Sequence, residues 1–215
     1  MSKKHPVKTG KPASLSSAKS RIDNWLKGLE EDIGRPLSHP HNGSLVYLLL
    51  DCSSSMAVGT KLAQAKNGAF SFSQEAIEKR YAVGLIQFSS IASHLTEPLN
   101  DTSNLKPHID GIKADGSTNM ADAIRMAIGK LQDRFVQRVI VIVTDGMPDS
   151  REAALSAAND AKSKGIDIIT IGTDDADTDF LRQIASRTDL VVSVNREQLQ
   201  EGITSAARLL PGKRE

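Results

Sequence analysis

Five residues directly behind an apolar stretch carry the chemistry this chain has to offer. Asp51-Cys52-Ser53-Ser54-Ser55 follows Ser44 to Leu50, which is almost entirely apolar. A carboxylate and two hydroxyls at alternate positions present hard oxygen donors, the type that a magnesium-class cation prefers. A buried strand turning into a polar loop would look the same, so these residues alone leave both readings open. If the loop stays roughly extended, Asp51, Ser53 and Ser55 face one point while Cys52 and Ser54 face elsewhere. Cys52 then reads as a small packed residue, because thiolate is the wrong donor for magnesium.

Further oxygen-rich segments lie downstream. Asp145 sits in Val143-Thr144-Asp145-Gly146, directly behind a β-branched run, and Thr118 sits in Asp115-Gly116-Ser117-Thr118-Asn119. A carboxylate cluster, Asp174, Asp175, Asp177 and Asp179, follows another apolar run. Carboxylates gathered at strand ends repel one another unless a cation or a proton intervenes.

The elements that must position these loops are legible in the hydropathy pattern. Strands are expected at 45–50, 81–88, 136–144, 166–171 and 190–194, with an edge segment at 90–96 that returns as a hairpin. Helices are expected at 61–79, 105–112, 121–132, 151–164, 178–186 and 197–210; Asp177 or Thr178 can cap the fifth of these. Strands apolar on both faces, alternating with helices, require a mostly parallel sheet covered on both sides. Right-handed crossovers make this a doubly wound, Rossmann-like α/β domain with one antiparallel edge strand. Such sheets place ligands beyond the carboxyl ends of their strands, where the loops carrying Asp51, Thr118, Asp145 and Asp174 meet.

Ahead of this domain, residues 1–14 have almost nothing to bury and read as a disordered basic tail. Residues 15–43 read as an amphipathic helix and linker: Leu15, Ala18, Ile22, Trp25, Leu26, Leu29 and Ile33 share one helical face before Gly34, Pro36, Pro40 and Gly43 break the chain. The domain proper spans 44–210, and 211–215 form a C-terminal tail. A formal net charge of +1 over 215 residues provides no field to argue for nucleic acid. A single cysteine excludes an internal disulfide framework and a clustered thiolate zinc site. No apolar run is long enough to cross a bilayer, and no hydrophobic segment follows the first lysines as a secretory signal requires, so cytoplasmic residence is expected.

The ordered set Asp51-x-Ser53-x-Ser55, Thr118 in a Gly-containing loop and Asp145 behind the fourth strand resembles the von Willebrand factor type A (vWA) domain family, of the general bacterial and intracellular kind, with its metal-ion-dependent adhesion site (MIDAS). The resemblance covers about three quarters of the chain. It implies that Ser53, Ser55 and Thr118 bind Mg2+ through hydroxyls, with Asp51 and Asp145 bound directly or through water; Mn2+ or Ca2+ would suit the same donors. It also implies an open coordination position filled by Glu or Asp of a partner protein, in bacteria an associated AAA+ ATPase or signalling enzyme. Ser54 stands where the family often has Gly, which stiffens the loop without removing a ligand. Some relatives carry a second ion, and the Asp174 to Asp179 run invites that idea, although helix capping and solvation explain it as well.

Two other functions compete with metal-dependent protein binding. A phosphatase-like enzyme would use Asp51 as nucleophile, yet phosphoryl transfer wants cations near the transferring group, and only Lys61 is at hand, further along. No Gly-x-x-x-x-Gly-Lys loop exists for nucleotide. His5, His39 and His41 fall in the tail and linker, and His94 and His108 have no identifiable carboxylate partner. Arg125 and Arg138 read as surface residues. The expectation is therefore a non-enzyme with no nucleic-acid or membrane partner. The remaining alternative is a metal-independent scaffold that docks through the Trp25 helix.

Overall fold

A computed structural model of the protein describes residues 43–132 and 136–212. The expected tail, the Trp25 helix and most of the linker lie outside the described residues. The elements run β1 (Ser44–Asp51), α1 (Lys61–Glu78), β2 (Tyr81–Phe88), β3 (Ala92–Leu99), α2 (Thr102–Gly111), α3 (Met120–Leu131), β4 (Arg138–Thr144), α4 (Arg151–Ser163), β5 (Asp167–Thr173), α5 (Thr178–Ile184), β6 (Val191–Val194) and α6 (Leu199–Ala206).

Six strands form one sheet in the order β3-β2-β1-β4-β5-β6. Every pairing is parallel except β2 with β3. The alternation of side chains along each strand divides the core between the two faces. Val46, Leu48 and Leu50 point into a layer completed by Phe72 of α1, Leu105 and Ile109 of α2, and Leu199 and Ile203 of α6. Leu45, Tyr47 and Leu49 point into the opposite layer with Ile124 and Ile128 of α3, Ala158 of α4 and Phe180 of α5. Both faces are thus buried, which is why the parallel strands read as unbroken apolar runs.

The chain first winds from β1 outward to β2 and β3, then returns to the other side of β1 and winds through β4, β5 and β6. The reversal between β1 and β4 opens a crevice at their carboxyl ends. Asp51 ends β1, and Asp145 directly follows β4. The return also needs a connection from α2 on one face to α3 on the other, and residues 112–119 make it across this same rim.

Several boundaries differ from the expected ones. Helix α2 begins at Thr102, three residues early, because the Asp101 carboxylate accepts from the Ser103 N–H at 2.9 Å and caps it. The edge strand runs to Leu99 and not to Thr96, held to β2 through a shifted register. The last expected helix is broken into a 3-10 turn at Arg196–Gln198, α6, and a second 3-10 turn at Ala207–Leu209.

Candidate metal-binding site

Asp51 is fully buried and both its oxygens are engaged. Oδ1 accepts from the Ser53 N–H at 2.8 Å, and Oδ2 accepts from the Thr144 hydroxyl at 2.6 Å, which ties the end of β1 to the end of β4. Burial pushes its carboxyl up to about 6, against these hydrogen bonds from Thr144 and Ser53; the negative charge of Asp145 adds to the rise. A divalent cation at this point would favour the ionised form and oppose that shift.

Ser53 and Ser55 do not reach the site along an extended loop. Ser53 is extended (φ −62°, ψ 166°), but Ser54–Ala57 then close into a 3-10 turn anchored by buried Met56. That turn brings the Ser55 hydroxyl back to 3.0 Å from the Ser53 hydroxyl, where it donates to Asp145 Oδ1 at 2.7 Å. Ser54 faces away and donates to the Gly116 carbonyl at 3.1 Å. Cys52 packs in the core and its thiol donates to the Phe88 carbonyl at 3.2 Å. Burial, with the charge of Asp51 beside it, pushes the Cys52 thiol up to about 11.

Thr118 arrives on the crossing segment, which is laced to the first loop. The Asp115 N–H donates to the Cys52 carbonyl at 2.8 Å and the Ser54 N–H to the Gly116 carbonyl at 3.0 Å. Gly116 has φ +82°, and a β-carbon there would lie 2.5 Å from the Ser90 hydroxyl, so both conformation and space select glycine. On the other side Asp149 clamps the segment: it accepts from the Thr118 N–H at 2.9 Å and the Ser117 hydroxyl at 2.7 Å, while its own N–H donates to the Thr118 carbonyl at 2.9 Å. Thr118 itself is buried.

The second oxygen of Asp145 is held by Lys61, whose ammonium donates to Oδ2 at 2.5 Å and to Asp175 Oδ2 at 3.1 Å. Burial alone would lower the lysine's pKa, but the hydrogen bonds and charges of Asp145 and Asp175 reverse this and leave it above its ordinary value. Asp175 in turn accepts from Arg196 at 2.9 Å. Thr144, Asp149 and Lys61 were not among the expected site residues, and each was disguised by its context. Thr144 reads as the last β-branched residue of a strand, Asp149 as a turn residue beside Pro148, and Lys61 as the exposed start of an amphipathic helix.

The acidic run behind β5 is answered by bases and by a helix end. Asp174 accepts from the Arg196 N–H at 3.2 Å, and Asp177 caps α5 through the Phe180 N–H at 2.9 Å and pairs with Arg151. Asp179 accepts from Arg182 at 2.6 Å. These contacts engage the run in helix capping and ion pairing. His94, expected to lack a carboxylate partner, lies 3.8 Å from Glu97 and 3.2 Å from the Tyr47 hydroxyl. It belongs to β3 and to no rim loop. Arg138 opens β4, half-buried, and its guanidinium donates to the Leu131 and Lys164 carbonyls.

This arrangement has relatives. Residues 46–206 match the family model of the von Willebrand factor type A domain, and the chain belongs to that family. An uncharacterized protein of Mycobacterium tuberculosis is 24% identical over 167 residues, covering 73% of this chain and 26% of its own length. The chain therefore spans about a quarter of that relative. Among solved structures, the vWF domain of the type V pili tip protein Mfa5 from Porphyromonas gingivalis superposes with a TM-score of 0.71 at 14% identity, covering 80% of this chain and 98% of that one. Proximal thread matrix protein 1 from the mussel byssus, with a zinc-occupied MIDAS motif, gives 0.64 at 17% identity, covering 80% of this chain and 47% of that one. At these identities the structures speak for the fold. Among the described residues no helix is long and apolar enough to cross a membrane.

Proposed function

We propose that residues 44–210 form a protein-binding module that holds a divalent cation among Asp51, Ser53, Ser55, Thr118 and Asp145 and uses it to capture a carboxylate of a partner protein. The observation that supports this reading is the meeting of Ser53, Ser55 and Asp145 beside buried Asp51 between β1 and β4, with the Thr118 segment hydrogen-bonded to the same first loop through Cys52 and Ser54. The donor set fits a hard cation: every candidate atom is oxygen, and Ser55 is exposed to solvent beside buried Asp51, Ser53 and Asp145. Mg2+ is the cation proposed, with Mn2+ or Ca2+ as substitutes. Bound there, the ion would supply positive charge and a free coordination position for an incoming Glu or Asp. The protein's own part is to fix Asp51 through Thr144 and Ser53, fold Ser55 onto Asp145, and hold the Thr118 segment between Ser54 and Asp149.

The surroundings of the crevice favour a macromolecular ligand. The exposed large hydrophobics among the described residues are Val58, Ile91 and Met147, at 58%, 67% and 50% exposure. Val58 follows the first donor loop, Ile91 lies in the β2–β3 turn and Met147 follows Asp145, so all lie at the carboxyl rim of the sheet. Apolar contacts around a desolvated charged anchor are the usual anatomy of a binding hot spot. An AAA+ ATPase or signalling assembly in the cytoplasm is the partner setting we favour, on the family resemblance alone.

Catalysis by Asp51 is the weaker reading. Among the described residues Lys61 is the lysine bound into the site, and it is committed to Asp145 and Asp175. The deciding experiment is a pull-down with and without EDTA, using the wild type and Thr118→Ala. Partner capture that survives both EDTA and the substitution would overturn the proposal and favour docking through the Trp25 helix. Phosphate release that depends on Mg2+ and Asp51 would instead favour the enzyme.

A further inference from the structure

Lys61 stands where a lysine is costly. Its side chain is only 7% exposed, and a buried ammonium is unfavourable unless it is paired. It is also the first residue of α1, where the helix macrodipole opposes positive charge. The return for both penalties is a pair of carboxylate contacts, to Asp145 at 2.5 Å and Asp175 at 3.1 Å. Asp175 is partly exposed and shares its charge with Arg196 at 2.9 Å, whereas the Asp145 carboxylate is fully buried. Asp145 is therefore the carboxylate that Lys61 chiefly neutralises, at the oxygen that Ser55 does not contact.

We infer that Lys61 determines the ligand selectivity of the proposed centre: its fixed charge cancels one carboxylate, so that a loaded site stays positive and accepts an anionic ligand. The inference rests on the metal-binding reading above. Asp51 and Asp145 alone would neutralise a divalent cation and leave little attraction for a third carboxylate. Lys61 returns one positive charge to this tally, because its second partner Asp175 is balanced by Arg196, and the Asp51 and Asp145 carboxylates are buried where screening by water is weak. Exposed Asp149 is screened by solvent and counts for less. Lys61 also occupies Asp145 Oδ2 while Ser55 takes Oδ1, which fixes the carboxylate in one orientation.

This role predicts opposite changes in two affinities, which a purely structural role does not. Mn2+ affinity would be read from the free-ion paramagnetic resonance signal, and acetate affinity from water-proton relaxation of the Mn2+-loaded protein. Lys61→Met should bind Mn2+ about ten-fold more tightly and acetate about ten-fold more weakly, as expected for one unit charge at short range in a partly buried site. Lys61→Arg should match the wild type in both. Weakening of both affinities by Lys61→Met, with Lys61→Gln behaving alike, would overturn the inference and leave a structural ion pair. So would unfolding of both variants while Lys61→Arg folds. Mn2+ binding by Lys61→Met but not by the wild type would make the lysine a plug in place of the ion, again contrary to the inference. Absence of Mn2+ binding in every variant would instead sink the metal-binding proposal itself.

Discussion

The Ser55 hydroxyl donates to Asp145 Oδ1 at 2.7 Å, joining two residues ninety positions apart across the β1–β4 crevice. The contact makes the first donor loop and the fourth strand interdependent. Removing the hydroxyl by Ser55→Ala leaves one buried carboxylate oxygen without this donor, which costs about 1–3 kcal/mol. It also deletes one proposed ligand. Saturating cation at a hundred times its Kd stabilises a protein by about 2.7 kcal/mol. Thermal unfolding in EDTA should therefore show a modest loss for Ser55→Ala, and adding Mg2+ should restore far less stability to the variant than to the wild type. An equal Mg2+ shift in both proteins would remove Ser55 from the site.

The Asp51 carboxyl sets a pH dependence whose sign differs between the metal-free and metal-loaded protein. Burial raises its pKa from 3.8 to about 6. Between these values the folded state keeps a proton that the unfolded state has released. The resulting stabilisation is full below about pH 4 and is lost as pH rises through about 6; the two-unit shift bounds it at roughly 3 kcal/mol. Urea denaturation in EDTA from pH 4 to 7, compared with Asp51→Asn, should isolate this slope, because the variant has no carboxyl there to titrate. Mg2+ binding needs the ionised carboxylate, so the Mg2+-induced stabilisation should grow across the same range. A wild type and Asp51→Asn with parallel pH profiles in EDTA would contradict this account.

The division of labour around Asp51 also explains what could be read in advance. A carboxylate behind an apolar run is a local signal, and Asp51 and Asp145 both carry it. The doubly wound sheet was legible for the same reason, since strands buried on both faces leave unbroken apolar stretches. Contacts made through tertiary structure left no such trace. The 3-10 turn that folds Ser55 back depends on Met56 being buried, so an extended loop was the natural reading of the spacing alone. Lys61 looks like any polar residue at a helix start until Asp145 and Asp175 surround it. His94 meets Glu97 and Tyr47 only through the shifted register of the edge strand, which nothing in the pattern specified.

The central sheet contains one close approach that a methyl group would spoil. Gly84 of β2 pairs with Tyr47 of β1, and a β-carbon on Gly84 would lie 2.4 Å from the Tyr47 ring. Tyr47 cannot simply swing aside, because its hydroxyl donates to Glu97 at 3.1 Å and meets His94 at 3.2 Å. Gly84→Ala should therefore destabilise by about 1–3 kcal/mol, the usual range for overpacking a core. The measurement is a double-mutant cycle in urea with Tyr47→Leu, which removes the ring. If the steric account holds, Gly84→Ala costs much less in the Tyr47→Leu background. Equal costs in both backgrounds would place the penalty elsewhere in β2.

Asp149 tests whether positioning of Thr118 matters separately from its hydroxyl. Asp149 is exposed and is no member of the proposed ligand set, yet it receives the Thr118 N–H and the Ser117 hydroxyl and returns its own N–H to the Thr118 carbonyl. Asp149→Ala removes the carboxylate contacts and keeps the backbone one, so the segment remains laced to Ser54 through the Gly116 carbonyl but loses its restraint on the α4 side. The cost to folding should be about 1 kcal/mol or less, because the lost hydrogen bonds lie at the surface where water replaces them. The cost to ion binding should be larger in proportion. Groups that orient metal ligands typically carry about ten-fold or more in affinity. Mn2+ titration should thus show Asp149→Ala weakened about ten-fold, Asp149→Asn less so because its amide oxygen still accepts one bond, and Thr118→Ala most of all. A variant that unfolds like the wild type and binds Mn2+ equally well would show that Ser54 and Gly116 hold Thr118 in place without help from the Asp149 carboxylate.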